Sequence, residues 1–278
     1  MSTSPPSYSR RRFALGLAGG VVATLCARIT PATAGVADQV GATFGLMLQE
    51  VVGAFPPVEG LVVAVEGQRI YIEPAGAQGV RPGQEFTIFR KGDVFRHPVT
   101  NRPLGRFEEV LGHAQVQRVL PRFSEATVIP IPGAPAVRPE DGVRITRGRI
   151  KVAVPPPVDL TRSQADLRRV PFMLAFGLDQ TKRFQSTDPG PVRELLLSQH
   201  TRTEELLIRP EKVVALSRTL EVAGWLIPVL MERGTALYLD VTWISGVTGM
   251  PLFSRRLALV RADSASEQRF PWEPRAED

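Results

Sequence analysis

The chain offers few side chains with the spacing that acid–base or metal chemistry needs. Its three histidines, His97, His113 and His200, are far apart and show no metal-ligand spacing. Neither a helical two-histidine zinc motif nor a glycine-flanked nucleophilic serine occurs. Asp93 and the Glu108-Glu109 pair could act as acid and base, but neighbouring strand residues point to opposite faces, which favours a surface role. We therefore predict no catalytic residue, no metal, no cofactor and no enzymatic activity.

Glycine and arginine are concentrated in the first half of the chain. The segment Gly76–Gly83 lacks both the lysine and the strand-to-helix context of a phosphate-binding loop, so we predict a compact turn. The arginines around it could form a binding face for an anionic glycan, lipid or protein, or a scattered solvated set. They are Arg81, Arg90, Arg96, Arg102, Arg106, Arg118 and Arg122.

One short pattern occurs twice, as Val99–Leu104 and Val247–Leu252, which share the frame V-T-x-x-P-L. Both copies are typical of hairpin connections, in which Asn101 or Gly249 accepts the left-handed conformation. His97 precedes a proline in the first copy, which favours a turn residue over a metal ligand. We predict that this first hairpin binds a partner, through Phe95, Arg96, His97, Asn101 and Arg102.

Elements that must position these residues differ between the two halves. Residues 35–55 carry apolar side chains at helical spacing, which predicts an amphipathic helix that ends near Gly53. Short alternating segments separated by glycine turns then predict five or six strands, which could close into a small barrel. These strands are expected at 60–67, 69–73, 84–90, 113–119 and 124–129.

Beyond Pro155-Pro156-Pro157 the pattern changes to a mixture of helices and strands. A strand is predicted at 150–154, followed by helices at 163–181, 191–203 and 210–220, and a short strand at 184–187. Three strands, 221–230, 236–245 and 252–260, then suggest an antiparallel meander. We expect an open sheet edge at 236–245, or at a neighbouring strand, to be able to accept a partner's strand.

The N-terminus has the order of an export signal. A basic head precedes an apolar run of about fourteen residues, Ala14–Ala27, shorter than the roughly 20 that span a bilayer. The paired arginines resemble a twin-arginine signal; the alternative is a basic end on a short buried helix. The motif residues are Ser9, Arg10, Arg11 and Phe13, and the cleavage residues are Ala32 and Ala34.

Cleavage after Ala34 would change what the composition means. It would remove Cys26, the only cysteine, unless that residue carries a lipid anchor; Leu25, where a small residue normally stands, argues against a lipid. It would also remove four arginines, lowering the formal net charge from +6 to +2. A nearly balanced charge argues against a nucleic-acid binder.

These patterns together predict an α+β protein with five segments. They are a signal peptide (1–34), an amphipathic helix (35–56), a small β-barrel domain (57–148), an α/β domain with a mixed or antiparallel sheet (149–262) and a mobile tail (263–278).

Part of the first half resembles a known family. The turn and strand Gln78–Arg90 and the hairpin His97–Gly105 resemble the C-terminal domain of flagellar assembly protein T. Such domains carry "G-V-x-x-G-x-x-x-x-x-x-R", then "P-V-T-G-x-x-L-G", and later a strand like Gly112–Val119. Asn101 stands where glycine is usual. The resemblance covers about residues 57–148 and implies the barrel fold. In the flagellar protein this domain is C-terminal, whereas here it comes first.

The second half is similar, more loosely, to α/β domains of the curli-secretion and Tol-Pal amino-terminal type. The likeness rests on the strand Lys151–Val154 and the turn Thr248–Leu252. It implies a non-catalytic periplasmic protein that docks on a larger envelope assembly, and it supplies no catalytic residues.

We therefore predict an exported, periplasmic binding or scaffolding protein, with a flagellar or a secretion assembly as the candidate assemblies. The expected partners are envelope proteins, with a second copy of the chain as a further candidate, and no nucleic acid. Membrane association is expected only through partners or through a lipid on Cys26. The alternatives are an exported hydrolase or cofactor-binding enzyme acting on envelope polymers, and a sensor of a small ligand in the cleft between the domains.

Overall fold

Alternating apolar residues in the first half build a ring of antiparallel strands. The computed structural model describes residues 35–146, 148–162 and 165–260, so the signal residues, Cys26, the cleavage residues and the tail lie outside its described part. After helix α1 (Val36–Gly53) come β1 (Glu59–Glu66), β2 (Arg69–Ile72), β3 (Glu85–Arg96), β4 (Pro103–Val119), β5 (Ser124–Pro130) and β6 (Gly142–Arg144).

The ring closes through its shortest strand. The pairing order is β1-β2-β5-β4-β3-β6, and β6 pairs with both β3 and β1. Because β6 has three residues and the β3–β4 pairing contains three register shifts, the wall is uneven. The predicted barrel is therefore present only as an irregular ring. Its interior is filled by fully buried side chains that include Ile70, Ile72, Phe86, Ile88 and Val143.

Gly76–Gly83 folds as the compact turn that its composition predicts. A single 3₁₀ turn covers Gly76–Gln78, and both Gly79 and Gly83 have positive φ.

The second half forms a mixed sheet with helices on both sides. Its elements are β7 (Ile150–Ala153), β8 (Val158–Leu160), α2 (Val170–Gln180), β9 (Phe184–Ser186), α3 (Pro189–Ser198), α4 (Thr203–Ile208), α5 (Pro210–Leu220), β10 (Gly224–Arg233), β11 (Ala236–Ser245) and β12 (Pro251–Ala258). The order is β12-β11-β10-β7-β9, and β8 extends the β7 side of β10. Strands β10, β11 and β12 are antiparallel, whereas β7 and β8 run parallel to β10. The predicted α+β class and mixed sheet are confirmed.

Alternation along the strands supplies a core on each face of this sheet. On one face, Leu226 and Trp243 pack under α1 and α2. On the other, Trp225 and Ile227 pack under α3, α4 and α5. The arrangement is thus a three-layer α/β/α sandwich.

Helix α1 packs with the sandwich, although the ring follows it in sequence. Phe44 and Met47 belong to the same buried cluster as Trp243. The Arg183 guanidinium contacts both segments that link the ring to the sandwich. Its Nε donates to the carbonyl of Phe55 (2.9 Å), and its Nη1 lies 3.5 Å from the carbonyl of Thr146. Burial lowers the pKa of Arg183. The ring is thus inserted in the chain between α1 and β7, which both belong to the sandwich.

Several predicted element bounds are wrong. The helix predicted at 163–181 begins at Val170, with Pro171 in its first turn. The segment 191–203 is a helix that starts at Pro189 and ends at Ser198, and His200 follows it with a φ of 47° rather than lying on a helix face. Strand β11 is flanked by β10 and β12, so among the described strands the open edge lies on its neighbour β12, the second of the two places predicted.

Candidate partner-binding arm

Strands β3 and β4 continue beyond the ring as a two-stranded ribbon. β6 pairs with β3 only at Thr87–Phe89, and β5 pairs with β4 only from Gly112 onward. β3 and β4 nevertheless remain paired as far as Arg96 and Pro103. We call the projecting residues 90–110 the arm. Among the described strands, none pairs with its outer edges.

An aromatic pair lies exposed on the arm. The rings of Phe95 and Phe107 are 5.1 Å apart, and these residues are 37% and 63% exposed. Gly105, directly opposite Phe95, makes room for that ring, since a Cβ there would come within 3.0 Å of it. Although the two rings pack on each other, most of the Phe107 side chain remains in solvent. It therefore contributes little to the stability of the fold.

The remaining apolar side chains of the arm are also exposed. Val94 and Leu104 are 36% and 56% exposed, and Val99 at the tip is 86% exposed. Adjacent strand residues point to opposite faces, so Val94 and Phe95 put apolar surface on both faces of the ribbon. An apolar surface of this kind is typical of an interaction site.

Charge is divided along the arm. Near its base, Lys91 lies 3.9 Å from Glu59, and Glu108 pairs with Arg144 at 2.7 Å. Residues 94–107 contain three arginines, Arg96, Arg102 and Arg106, and no acidic residue. None of these three forms an ion pair with a carboxylate in the part of the chain that the structure describes. The distal arm therefore combines a net positive charge with exposed apolar side chains.

His97 organises the turn at the tip. Its Nδ1 accepts hydrogen bonds from the backbone N–H groups of Val99 and Thr100, each at 3.2 Å. Its backbone N–H donates to the carbonyl of Arg102, and Asn101 donates to the carbonyl of His97 (both 2.9 Å). Asn101 has a φ of 52°, as its place in the repeated pattern predicts. His97 thus serves the turn, and the predicted hairpin residues lie together at the end of the arm.

The second copy of the pattern forms the same turn between β11 and β12. Ser245 stands in the place of His97, and its Oγ accepts from the N–H groups of Val247 and Thr248 at 3.0 and 3.1 Å. The two main-chain hydrogen bonds recur at 2.9 Å, and Gly249 has a φ of 70°. The prediction that both copies are hairpin connections with a left-handed residue is confirmed.

This second turn does not lie at an exposed tip, because it packs against the ring. Glu85 of β3 accepts hydrogen bonds from the hydroxyls of Ser245 (2.5 Å) and Thr248 (2.7 Å). Burial raises the pKa of Glu85, and the two hydroxyl donors act in the opposite direction. A single carboxylate therefore fastens the turn of one half to the wall of the other.

A cleft of about 750 Å³ lies beside this contact, between the ring and the sheet. His113 and Thr87, which are opposite each other on β4 and β3, line it with Glu85. Burial lowers the pKa of His113, which favours its neutral form. Lys151 and Glu221 lie 3.6 Å apart on the sheet side. The cleft corresponds in position to the one predicted between the domains, and its role as a ligand sensor stays a prediction.

No group of histidine, cysteine and carboxylate residues within the described ranges could hold a metal ion. Within the same ranges, no helix is long and apolar enough to cross a bilayer.

The sequence predicted the turn at the tip of the arm, but it predicted neither the length of the arm nor the contact of Glu85 with the second turn. The strand predicted at 84–90 continues to Arg96, and the strand predicted at 113–119 begins at Pro103. The aromatic residues Phe95 and Phe107, on either side of the turn, were the sequence signal that the strands continue. Glu85 gave no signal, because its contact joins residues 160 positions apart.

No protein-family model matches the chain. An uncharacterized protein of Aquifex aeolicus (strain VF5) is 34% identical over 92 residues, which are 33% of this chain and 18% of that protein. The chain thus spans only a small part of that relative's length.

Two solved structures show a partial likeness. The LpoB C-terminal domain from Escherichia coli has a TM-score of 0.35 and 13% identity, over 41% of this chain and 85% of that one. Lipoprotein GNA1162 from Neisseria meningitidis has a TM-score of 0.35 and 17% identity, over 44% and 86%. Neither is the flagellar protein that the motifs resemble, so that resemblance remains a prediction.

Proposed function

We propose that the chain is an exported, non-catalytic binding protein of the cell envelope that docks onto a protein partner through its arm. The observation that supports this most directly is the aromatic pair Phe95–Phe107, held in solvent on a ribbon that projects from the ring. The exposed apolar side chains of the distal arm pack against no core, so a role outside the fold explains them better than a role within it.

The location belongs to the same proposal and rests on the N-terminal residues. The basic head, short apolar run and small-residue exit up to Ala34 support export to the periplasm, and the paired Arg10-Arg11 supports the twin-arginine route. Envelope proteins are then the partners within reach. A metal-dependent hydrolase, as one form of the rival, gains no support from the described residues, because no group of histidine, cysteine and carboxylate side chains in them could hold a metal ion.

Deleting residues 95–105 and closing the ribbon with Asn-Gly tests both parts of the proposal. The thermal midpoint should change by no more than about 3 °C, because the removed side chains are exposed. Capture of envelope proteins by the tagged chain in the native host should fall at least tenfold. Full-length and shortened proteins should both be recovered from the periplasm with the mass of the chain from Gly35 onward.

A matched control alters exposed apolar surface elsewhere. Val63 on β1 is 58% exposed, and Val63→Ser should leave capture unchanged. Undiminished capture by the shortened arm would refute docking through the arm. An uncleaved protein confined to the cytoplasm would refute export.

A further inference from the structure

The same turn occurs twice in this molecule. The copy at residues 245–250 is occupied by a carboxylate of the chain itself, and the copy at residues 97–102 is exposed. In the occupied copy, the Glu85 carboxylate receives the hydroxyls of Ser245 and Thr248. In the exposed copy, at the tip of the arm, the same main-chain hydrogen bonds are present without a receiving carboxylate among the described residues. The occupied copy therefore shows what kind of group this turn binds.

The exposed copy carries donors in equivalent places. Thr100 corresponds to Thr248 and is exposed to solvent. His97 corresponds to Ser245; because its Nδ1 accepts two backbone hydrogen bonds, a neutral ring carries its proton on Nε2, which forms no hydrogen bond among the described residues. A carboxylate that approached this tip would meet a hydroxyl donor and an imidazole donor.

The charge of the distal arm favours the same ligand. Arg96 and Arg106 each reach a backbone carbonyl of the arm, at 3.1 Å from that of Asn101 and 3.4 Å from that of Gly92. Neither these two nor Arg102 has a carboxylate partner in the described ranges. Arginine binds carboxylates through two parallel hydrogen bonds, so the distal arm is complementary to an acidic surface.

An anionic membrane would supply negative charge as well, but the backbone of the arm argues against it. Both outer edges of the ribbon beyond the ring are unpaired by any described strand. Unpaired N–H and C=O groups are costly in hydrocarbon, whereas a protein can pair them with its own backbone or side chains. The combination favours a protein.

We propose that the turn at residues 97–102 binds a carboxylate of an acidic protein surface, in the manner in which Glu85 binds the turn at 245–250. Thr100 and His97 contact the carboxylate, Arg96, Arg102 and Arg106 add charge, and Phe95 and Phe107 pack on apolar surface beside it. This proposal rests on the proposed docking function and specifies the chemistry of the partner.

A zero-length coupling tests the carboxylate directly. The full chain with Thr100→Lys is treated with a water-soluble carbodiimide in isolated envelopes of the native host. A lysine at this position should form an amide with an aspartate or glutamate of another protein, identified by mass spectrometry. Arg122→Lys, an exposed position outside the arm, should not form the same product.

Substitutions that retain or remove the donor are the second measurement. Thr100→Val should lower capture of the partner roughly tenfold, whereas Thr100→Ser should retain it. Glutamine at all three of Arg96, Arg102 and Arg106 should lower capture further and remove its salt dependence. The matched control replaces the exposed cations Arg122, Lys182 and Arg233 with glutamine.

The outcomes separate this proposal from the function on which it rests. Capture that needs the arm but is unaffected by Thr100→Val and by the three glutamines, with no amide product, overturns the carboxylate proposal alone. A product with the chain itself or with a second copy, or recovery of the arm with phospholipid only, also overturns it. Capture that does not need the arm overturns the docking function.

Discussion

At the scale of single residues, Glu85 links the ring to the sheet. Its carboxylate is half-buried and accepts two hydroxyl hydrogen bonds from the turn between β11 and β12. The pKa of Glu85 is raised by burial, so the folded state holds its proton more readily than the unfolded state. Stability from this group is thus fully present below the unfolded pKa and is lost as the pH rises through the folded pKa.

Glu85→Gln should therefore change the pH dependence more than the stability at neutral pH. The amide retains a hydrogen-bond acceptor, so the free energy of unfolding at pH 7.5 should change by about 1 kcal/mol or less. As the pH falls toward 5, the wild type should gain stability relative to the variant. Urea unfolding at both pH values measures this difference, with Glu221→Gln, at the exposed rim of the same cleft, as the control.

His113 does not confuse this comparison. Its lowered pKa acts in the opposite direction, since stability is lost as the pH falls through its folded value, but both proteins contain it. A difference between wild type and Glu85→Gln that stays constant from pH 7.5 to 5 would contradict a pKa of Glu85 that folding raises.

At the scale of elements, the turn between β11 and β12 must fit against helix α5. Gly249 has a φ of 70°, and a Cβ there would lie 2.4 Å from the carbonyl oxygen of Pro210. Gly234, in the turn between β10 and β11, has a φ of 65° with nothing within 4 Å of a Cβ. The two glycines share a conformation and differ in their surroundings.

Alanine at these two positions should therefore have unequal costs. Gly234→Ala should destabilise the fold by about 1–2 kcal/mol, the cost of a left-handed alanine. Gly249→Ala should cost at least about 2 kcal/mol more, since backbone atoms of α5 must move. Chemical denaturation of both variants gives the comparison, and equal losses would mean that α5 does not hold this turn.

Local pattern was enough to predict much of this architecture. Strand 236–245 and helix 210–220 were predicted with the bounds they have, because period and flanking turn residues agree there. The helix expected from residue 163 was too long, since apolar residues before Val170 fit the helical period without forming helix. The position of α1 against the sandwich could not be predicted, because it depends on packing across the whole length of the inserted ring.

The same limit applies to the candidate site. The repeated V-T-x-x-P-L pattern predicted both turns, and Asn101 and Gly249 take the left-handed conformation it requires. Which turn is received by the fold and which is exposed was not predictable, because that choice depends on Glu85 reaching Ser245 across the cleft.

At the scale of the whole molecule, the arm projects from the ring and not from the sandwich that contains the largest buried cluster. The ring is inserted into an α/β/α sandwich, and the arm extends from the ring with apolar residues such as Phe107 in solvent. The described residues belong to one compact unit. The fold thus supports the arm without burying it, which the proposed docking function requires.

The measurement that tests docking through the arm most directly is photocrosslinking of the full chain in cells of the native host. The probe p-benzoylphenylalanine replaces Val99 at the tip, which is 86% exposed, or Arg122 on the ring as the control. We expect the probe at position 99 to form a covalent product with an envelope protein, and the probe at position 122 to form none. Equal products from both positions, or none from position 99, would contradict docking through the arm.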